Sequence, residues 1–293
     1  NLTDKLLEGC YQFIKDRIRY KTMKKALVIG AGIAGIATAI RLKKAGYAVS
    51  VYEANAQAGG KLAEIRQEGF RFDAGPSLFT MPQYVEELFR LHGKNPTDYF
   101  EYEQLETVCQ YFYEDGTQVT AYSDLAKFQQ ELVSKLGEKP KKITQFFKKA
   151  KKLYDITNHV FLEKSLHKIS TYFNWGTFKS LLRVYELDVF RTMHQANQSL
   201  FDNPKTVQLF DRYATYNGSN PYQAPATLNI ISHLEHEIGA FFPKGGMYQI
   251  TQSLFQLAQD VGVQFHFNQP VQEISISQGK ATGIKVSSDW VEA

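Results

Sequence analysis

Hydrophobic residues near the start of the chain follow two kinds of pattern in turn. A continuous apolar run covers Ala26 to Ile29, apolar positions recur at helical spacing from Ile33 to Lys44, and a β-rich run covers Ala48 to Tyr52. Continuous runs this short are typical of buried parallel strands, and the periodic segment between them, which Gly46 closes, is typical of an amphipathic helix. The pattern therefore predicts a β-α-β unit.

The pattern changes after Met81 and returns to the β type near the end of the chain. The elements predicted for the middle part are a helix at Pro82–Leu91, a hairpin around Asp115–Gly116 and an aromatic-rich helical stretch at Phe161–Phe201. Those predicted after Gly245–Gly246 are a helix at Met247–Leu257, a strand at Val263–Phe267 and a hairpin about Gln278–Gly279. We therefore expect the first sheet to resume after a largely helical insert, so that its domain is discontinuous.

Three glycines, Gly30, Gly32 and Gly35, lie where the first predicted strand meets the helix, and Glu53 directly follows the second strand. In the dinucleotide-binding fingerprint the first glycine makes the tight turn, the second lets the backbone approach a pyrophosphate, and the third lets the helix pack on the sheet. The helix N-terminus offers N–H groups and a positive dipole end to the phosphates. Because the carboxylate of Glu53 would bind ribose hydroxyls and repel a 2′-phosphate, we expect an adenine dinucleotide other than NADP.

A second glycine pair, Gly59 and Gly60, follows Glu53 closely and is succeeded by Lys61. Two glycines often mark an ordinary turn. The position just past Glu53 favours a second stretch of backbone that approaches the pyrophosphate from the other side, with one cation beside it.

Composition excludes several classes of function. The 293 residues carry a formal net charge of +4 and two cysteines, Cys10 and Cys109, which nothing pairs locally, so we expect a reducing compartment. We see neither a secretory signal nor an apolar run near the ~20 residues of a transmembrane helix. RNA-binding signatures and zinc-finger spacing are absent, so we expect no nucleic-acid partner. The segment from His233 to Glu237 lacks the order of known metal-binding helices, so we expect no metal.

Lysines and aromatic residues are interleaved between positions 139 and 153. The lysines are Lys139, Lys141, Lys142, Lys148, Lys149, Lys151 and Lys152, and the apolar residues among them are Ile143, Phe146, Phe147 and Leu153. A helix here would have a lysine face and an aromatic face. It is either a solvated lysine face over an ordinary core, or an interfacial helix whose apolar face enters lipid while the lysines meet anionic headgroups.

Several longer segments resemble one family of flavoproteins. They are Val28-Ile-Gly-Ala-Gly-Ile-Ala-Gly35, Tyr52-Glu-Ala54, Gly59-Gly-Lys61, Phe72-Asp-Ala-Gly-Pro-Ser77, the stretch from Arg212 to Tyr222, and Phe242-Pro-Lys-Gly-Gly-Met247. From Met23 to Ala293 the chain resembles the bacterial-type phytoene desaturases, which are FAD-dependent carotenoid desaturases. The stretch that begins at Phe72 is more similar to hydroxycarotenoid 3,4-desaturases, which act late in the pathway.

The resemblance implies an α/β fold in which a discontinuous Rossmann-like FAD-binding domain carries an inserted, largely helical substrate and membrane domain. The implied ranges are an N-terminal extension at 1–22 that precedes Met23, the FAD-binding domain at 23–85 and 236–293, and the substrate domain at 86–235. It also implies a C-terminal segment that returns to the flavin and that this chain lacks.

The resemblance also implies a set of cofactor-binding positions, while no catalytic residue is identified. They are Gly30, Ala31, Gly32, Ile33, Ala34, Gly35, Glu53, Ala54, Gly59, Gly60, Lys61 and Val271. The implied activity is desaturation of a lipophilic polyene by hydride transfer to FAD, by a peripheral protein on the inner face of the cytoplasmic membrane. The oligomeric state stays open. Alternatives on the same fold are a carotenoid isomerase, a flavin amine oxidase, or a truncated nucleotide-binding fragment without activity.

Overall fold

A computed structural model describes residues 24–158 and 187–293. The predicted N-terminal extension and the part of the predicted aromatic-rich helical stretch at 159–186 lie outside the described residues. The strands are β1 (Lys25–Ile29), β2 (Ala48–Tyr52), β3 (Ala63–Gln67), β4 (Phe70–Ala74), β5 (Tyr102–Gln104), β6 (Thr107–Phe112), β7 (Gln118–Tyr122), β8 (Phe241–Pro243), β9 (Gln264–His266), β10 (Val271–Ser277), β11 (Lys280–Val286) and β12 (Asp289–Glu292). The α-helices are α1 (Ile33–Lys44), α2 (Gln83–Leu91), α3 (Leu125–Leu136), α4 (Pro140–Thr157), α5 (Met193–Leu200), α6 (Pro204–Asp211), α7 (Ile230–His233) and α8 (Tyr248–Asp260).

The chain forms two compact units. Unit 1 comprises the described residues up to Glu103 together with Phe242–Ala293, and unit 2 comprises the described residues of Gln104–Phe241. The boundaries between the units, at 103/104 and 241/242, lie further along the chain than the expected domain boundaries at 85/86 and 235/236. The first is later because α2 packs on α1, and the ring of its Phe89 lies 4.8 Å from that of Tyr99. The second is later because His236 stacks on Phe128, a core residue of unit 2.

A parallel sheet of order β1-β2-β9 forms the centre of unit 1. Val28 pairs with Val51, and Val51 pairs in turn with Phe265, so a strand from the end of the chain joins the first two. Helix α1 covers this sheet with its apolar stripe, in which Ile36 and Ile40 are fully buried. The sheet therefore contains the predicted β-α-β unit together with a strand from the later part of the chain.

A second sheet, the antiparallel meander β10-β11-β12, packs against the parallel sheet. Its Ile284 and Val286 are buried in one apolar cluster with Tyr52 from the end of β2. The sequence pattern predicts β10 and β11 but not β12, and it does not predict β3, which pairs with β4. Strand β3 reads Ala-Glu-Ile-Arg-Gln and has no buried face, so its extended form comes from pairing with β4 rather than from its own hydrophobicity.

Unit 2 combines the hairpin β6–β7, at the predicted place, with helices around an aromatic core. The rings of Phe146 and Phe210 lie 4.1 Å apart, and those of Phe201 and Phe210 are stacked at 4.8 Å. Phe128 and Tyr213 are fully buried in the same core. Ring pairs at these spacings add to the free energy that burial of their area provides.

Helix α4 is the predicted lysine-aromatic helix, and its apolar face belongs to the core of unit 2. Ile143, Phe146 and Phe147 are at most 4% exposed because the helix packs between α3 and α7. The idea that this face enters lipid is therefore wrong, and only the lysine side faces outward. No helix in the two described stretches, 24–158 and 187–293, has the length and apolar character needed to cross a bilayer.

Candidate functional site

The turn between β1 and α1 is built on two glycines that the protein itself requires. Gly30 has a φ of +93°, and its N–H donates to the Tyr52 carbonyl at 2.7 Å, which ties the turn to the end of β2. A Cβ at position 35 would lie only 2.0 Å from the carbonyl oxygen of Gly30. Helix α1 can therefore start this close to the strand only with glycine at position 35.

Gly32 is different, because nothing in the described protein requires a glycine there. Its φ of −71° suits any residue, and a Cβ would approach Gly59 and Gly60 no closer than 4.0 Å. The missing side chain therefore leaves space that no atom of the described residues fills. A glycine that the protein's own packing does not require is typical of a backbone position that a ligand approaches closely.

The N-terminus of α1 borders this space. Gly32 is its N-cap, and no side chain accepts a hydrogen bond from the first turn. The N–H groups of Ile33, Ala34 and Gly35 precede the first intrahelical bond, which runs from Ile36 N–H to the Gly32 carbonyl at 3.0 Å. The helix end is thus suited to bind phosphate oxygens.

Glu53 lies beside the turn with its carboxylate already partly engaged. Its Oε2 accepts the N–H of Ala31 at 2.7 Å, and its Oε1 accepts the backbone and side-chain N–H groups of Asn55 at 2.9 and 2.7 Å. Burial alone would raise the pKa of Glu53, but these hydrogen bonds outweigh it and lower the pKa. The carboxylate is therefore ionised at neutral pH, and Oε2 keeps a lone pair for a ribose hydroxyl.

The second glycine loop runs alongside the first. Gly59 donates to the Ala31 carbonyl at 2.9 Å and forms a parallel bridge with Gly32. Gly60 has a φ of +58°, and a Cβ there would lie 3.3 Å from the Gly32 Cα. Lys61 is exposed, and among the residues that the structure describes it has no ion-pair partner. The two predicted loops therefore face each other with one cation beside them.

Helix α8 holds this second loop, and the sequence did not indicate that role. The Tyr248 hydroxyl donates to the Ala58 carbonyl at 3.0 Å, and the Thr251 hydroxyl donates to the Leu62 carbonyl at 2.8 Å. The side chains of Tyr248 and Thr251 are both buried. The β1–α1 turn and the second glycine loop together form the two sides of a cradle. The second side is therefore anchored to a helix that follows it by about 190 positions.

The start of α8 is fixed in turn by Asp73. Its carboxylate accepts the N–H groups of Met247 and Tyr248 at 2.9 and 3.1 Å, and Arg71 donates to it at 2.8 Å. Burial alone would raise the pKa of Asp73, but these donors lower it. A Cβ on Gly246 would lie 2.4 Å from the Arg71 guanidinium. The Phe-Asp-Ala-Gly-Pro-Ser and Pro-Lys-Gly-Gly-Met segments therefore contact each other. The presence of both narrow motifs in one chain could have indicated this contact from the sequence.

The remaining predicted positions lie near Glu53. Ala54 is exposed between Glu53 and Asn55. The Gln269 N–H donates to the Glu53 carbonyl at 2.9 Å, and Val271 begins β10 two residues later. The structure thus brings Val271, the fingerprint turn and the second loop together in unit 1. Within the described residues no three His, Cys, Asp or Glu side chains come together as a potential metal site.

These observations test whether an adenine dinucleotide fits. The space at Gly32 would admit the pyrophosphate, the uncapped helix end would donate to it, and Oε2 of Glu53 would accept from the ribose. The negative charge of Glu53 disfavours a 2′-phosphate. The residues present therefore fit FAD or NAD.

Comparison with known proteins distinguishes the two cofactors. The family model described as flavin containing amine oxidoreductase matches residues 33–289. The cofactor is therefore FAD, as the sequence predicted.

Curated relatives at higher identity include enzymes of carotenoid metabolism. A 1-hydroxycarotenoid 3,4-desaturase from Flavobacterium sp. (strain P99-3) is 48% identical over 262 residues, which are 89% of this chain and 53% of that protein. A 4,4′-diapophytoene desaturase from Staphylococcus aureus (strain Newman) is 33% identical over 90% of this chain and 53% of its own length. The resemblance to carotenoid desaturases is confirmed, and the chain spans about half the length of these relatives.

Solved structures share the fold at lower identity. An oxidoreductase from Methanosarcina mazei superposes with a TM-score of 0.60 at 19% identity, over 92% of this chain and 57% of that one. A putrescine oxidase bound to putrescine superposes with a TM-score of 0.56 at 17% identity, over 92% and 56%. Taken with the family match, the cradle and the Rossmann-like sheet lead to one assignment: the chain belongs to the flavin containing amine oxidoreductase family.

Proposed function

We propose that the whole protein is an FAD-dependent desaturase of a carotenoid or a similar polyene. The observation that carries the proposal is the 48% identity to a 1-hydroxycarotenoid 3,4-desaturase over 89% of the chain. The geometry of unit 1 supports it, because the space at Gly32, the helix end without a side-chain cap and the carboxylate of Glu53 adjoin one another.

The residues of unit 1 bind and orient the cofactor in this proposal. The N–H groups of Ile33 and Ala34 would donate to the pyrophosphate, Gly32 would leave it room, and Lys61 would neutralise part of its charge. Glu53 accepts from the adenosine ribose while its bonds to Ala31 and Asn55 keep the carboxylate in one orientation. The backbone at Val271 meets the adenine. These contacts fix position, which is the protein's main contribution to cofactor chemistry.

Bound flavin supplies the acceptor for a hydride equivalent from an allylic C–H of the polyene. Each new double bond removes two hydrogen atoms from the polyene, one as the hydride that would reduce FAD and one as a proton that would leave to solvent. We assign substrate binding to unit 2, whose aromatic core and cavity suit an apolar ligand. The expected ranges for the two functions thereby become the two units of the structure.

Expression of the full-length protein in a host that accumulates acyclic carotenoids tests the desaturation. We expect products with a longer absorption wavelength and with two hydrogen atoms fewer per added double bond by mass spectrometry. A Gly32→Ala variant, whose methyl group would occupy part of the space for the pyrophosphate, serves as the matched control and should form less product. Products of unchanged mass would indicate an isomerase, added oxygen would indicate an oxygenase, and an unchanged pigment pattern would contradict the proposal.

We also propose that the lysine face of α4 binds the anionic inner surface of the cytoplasmic membrane. Lys141 and Lys148 are exposed and seven residues apart, so they lie on one side of the helix. Lys149 instead pairs with Asp188, and Lys142 with Asp202. Because the apolar face is buried in the core, this attachment would rest on charge, about 1 kcal/mol for each lysine near the surface.

Sedimentation with vesicles that contain phosphatidylserine tests this attachment. We expect Lys141→Glu with Lys148→Glu to abolish most of the binding at low salt, because two attractions become repulsions. The matched control, Lys24→Glu with Lys280→Glu, changes the net charge equally at exposed positions of unit 1 and should bind as the wild type. Equal sedimentation of the two double variants would exclude α4 as the docking face.

Amine oxidation is a second candidate, and the description of the matched family supports it. An amine oxidase would release peroxide with a primary or secondary amine as substrate and would leave carotenoids unchanged. A peroxide assay with a panel of amines, run beside the pigment analysis, distinguishes the two reactions.

A further inference from the structure

Unit 2 contains an open cavity of about 760 Å³ that the nucleotide cradle does not use. Its walls come mainly from α5 and α6. The apolar part of the lining is formed by Phe201, Pro204, Val207 and Pro221. A cavity of this size with mostly apolar walls and a few placed polar groups is typical of a small-molecule site.

One polar group in the lining is held in a fixed orientation. His194 Nδ1 lies 2.7 Å from Oδ2 of Asp211, while Oδ1 of Asp211 accepts from Asn197 at 2.8 Å. Asn197 is only 1% exposed and its own side chain accepts from Asn229 at 2.9 Å. A chain of buried hydrogen bonds therefore positions the imidazole from behind, in the way that second partners orient functional histidines.

The same chain determines which atom His194 offers to a ligand. Because a carboxylate only accepts, the hydrogen in the His194–Asp211 bond must be on Nδ1. In a ring that carries this one hydrogen, Nε2 is the acceptor. The backbone of His194 is also fixed, since its N–H donates to the Pro221 carbonyl and α5 begins with a capping box between Thr192 and Gln195.

The charged groups of the lining are already engaged by protein partners, and both carboxylate oxygens of Asp211 are taken by His194 and Asn197. Arg212 donates to both carboxylate oxygens of Glu235 and to the Tyr111 hydroxyl. Asp202 pairs with Lys142 and Lys139. The cavity therefore offers no unpaired guanidinium for an acid, and the carboxylates of its lining are engaged by protein donors. Besides the uncharged polar groups of Gln198, Gln208 and Thr215, it presents an apolar wall and the imidazole of His194, which hydrogen bonds orient from behind. Such a lining suits an uncharged apolar molecule with a hydroxyl group.

We propose that this cavity binds a hydroxylated end group of the polyene substrate, with the hydroxyl donating to Nε2 of His194. The inference rests on the proposed function, which supplies the apolar body of the ligand. Tyr222, whose ring lies 4.3 Å from that of His194, would cover the end group beside the imidazole. His194 is thus a specificity-determining residue, and Asp211 is its positioning residue.

A paired binding measurement on the FAD-loaded, full-length protein tests this. The ligands are an acyclic carotenoid with a tertiary hydroxyl at one end and the same carotenoid without it, titrated in detergent micelles and followed by the shift of polyene absorption. We expect the wild type to bind the hydroxylated ligand about tenfold more tightly, the factor that one hydrogen bond provides. His194→Phe, which keeps a ring but loses Nε2, should bring this ratio to about one.

Two further variants keep the test decisive. His194→Gln, which can still offer an amide group, should restore part of the preference. His92→Phe makes the same exchange at a half-buried histidine of unit 1 and should leave the ratio unchanged. Equal affinity of the wild type for both ligands, or an unchanged ratio in His194→Phe, would overturn the inference. If the wild type prefers the hydroxylated ligand but desaturates neither, the proposed function fails and this site stands.

Discussion

Alanine substitutions at positions 35 and 32 should affect different properties. Gly35→Ala should lower the free energy of unfolding, whereas Gly32→Ala should weaken FAD binding. A Cβ at position 35 would lie 2.0 Å from the backbone oxygen of Gly30, whereas a Cβ at position 32 would meet nothing closer than 4.0 Å. The two substitutions are chemically identical and lie in the same turn. They therefore separate the glycine that the fold needs from the glycine that the cofactor needs.

The cost in stability follows from this geometry. The backbone carbonyl of Gly30 cannot rotate away, so we expect Gly35→Ala to lower the free energy of unfolding by about 3 kcal/mol, the upper end of overpacking costs. At position 32 the loss of freedom in the unfolded chain gains about 0.4–1 kcal/mol. The preference of an N-cap for glycine over alanine offsets this by about 0.5–1 kcal/mol. Gly32→Ala should therefore remain within about 0.5 kcal/mol of the wild type.

For FAD binding, by contrast, Gly32→Ala is the substitution expected to have the large effect. The methyl group of Gly32→Ala would occupy the space beside the N-terminus of α1 and keep the pyrophosphate from its N–H donors. Loss of one to two charge-assisted hydrogen bonds, at about 1.5–3 kcal/mol each, raises the Kd of FAD by about 100-fold.

Two measurements on the full-length apoprotein check both effects. Urea unfolding followed by circular dichroism gives the stability, and quenching of flavin fluorescence during titration gives the Kd. A Gly32→Ala protein with the FAD affinity of the wild type would refute the placement of the pyrophosphate against position 32. A Gly35→Ala protein of unchanged stability would refute the steric account of the turn.

Three further predictions concern the supports of the cradle and the core of unit 2. Glu53→Gln should destabilise the apoprotein at pH values above 4.5, and this difference should vanish as the pH falls through the lower pKa of folded Glu53, as urea unfolding over a pH series would measure. Asp73→Asn should lower stability by about 1–2 kcal/mol and weaken FAD binding, because the start of α8 loses its acceptor, whereas Asp289→Asn in the exposed meander should change neither in the same assays. Phe146→Ala should cost about 3–5 kcal/mol in urea unfolding, because its ring is buried; a change below about 1 kcal/mol would mean that this face is not core.

The β-α-β unit of the fold could be predicted from the sequence because its signals are local. The predicted second strand, Ala48–Tyr52, is the observed β2, and the glycines of the turn lie within six positions of one another. Strand length, helix period and turn chemistry each depend on neighbours along the chain. The three signals agree there, so the prediction needed no knowledge of tertiary contacts.

The partner of an amphipathic helix is not a local property, and α4 illustrates this. Its pattern of lysines and aromatic residues is the same whether the apolar face meets lipid or protein. The rings that cover Phe146 belong to Phe201 and Phe210, more than 50 positions further along the chain. Periodicity identifies the buried face of a helix but contains no information on what buries it.

The cradle depends on both kinds of information, which explains why its two glycine loops could be predicted but not the residues that hold the second loop. Its first side, from Gly30 to Glu53, is held by bonds that join neighbouring elements of one β-α-β unit. Its second side is held by Tyr248 and Thr251, and those residues are placed by Asp73. The entire insert lies between these partners in the sequence. Because the hydrogen bonds that fix the second loop are made only when α8 packs against α1, we expect cofactor binding to require both ends of unit 1 to fold together.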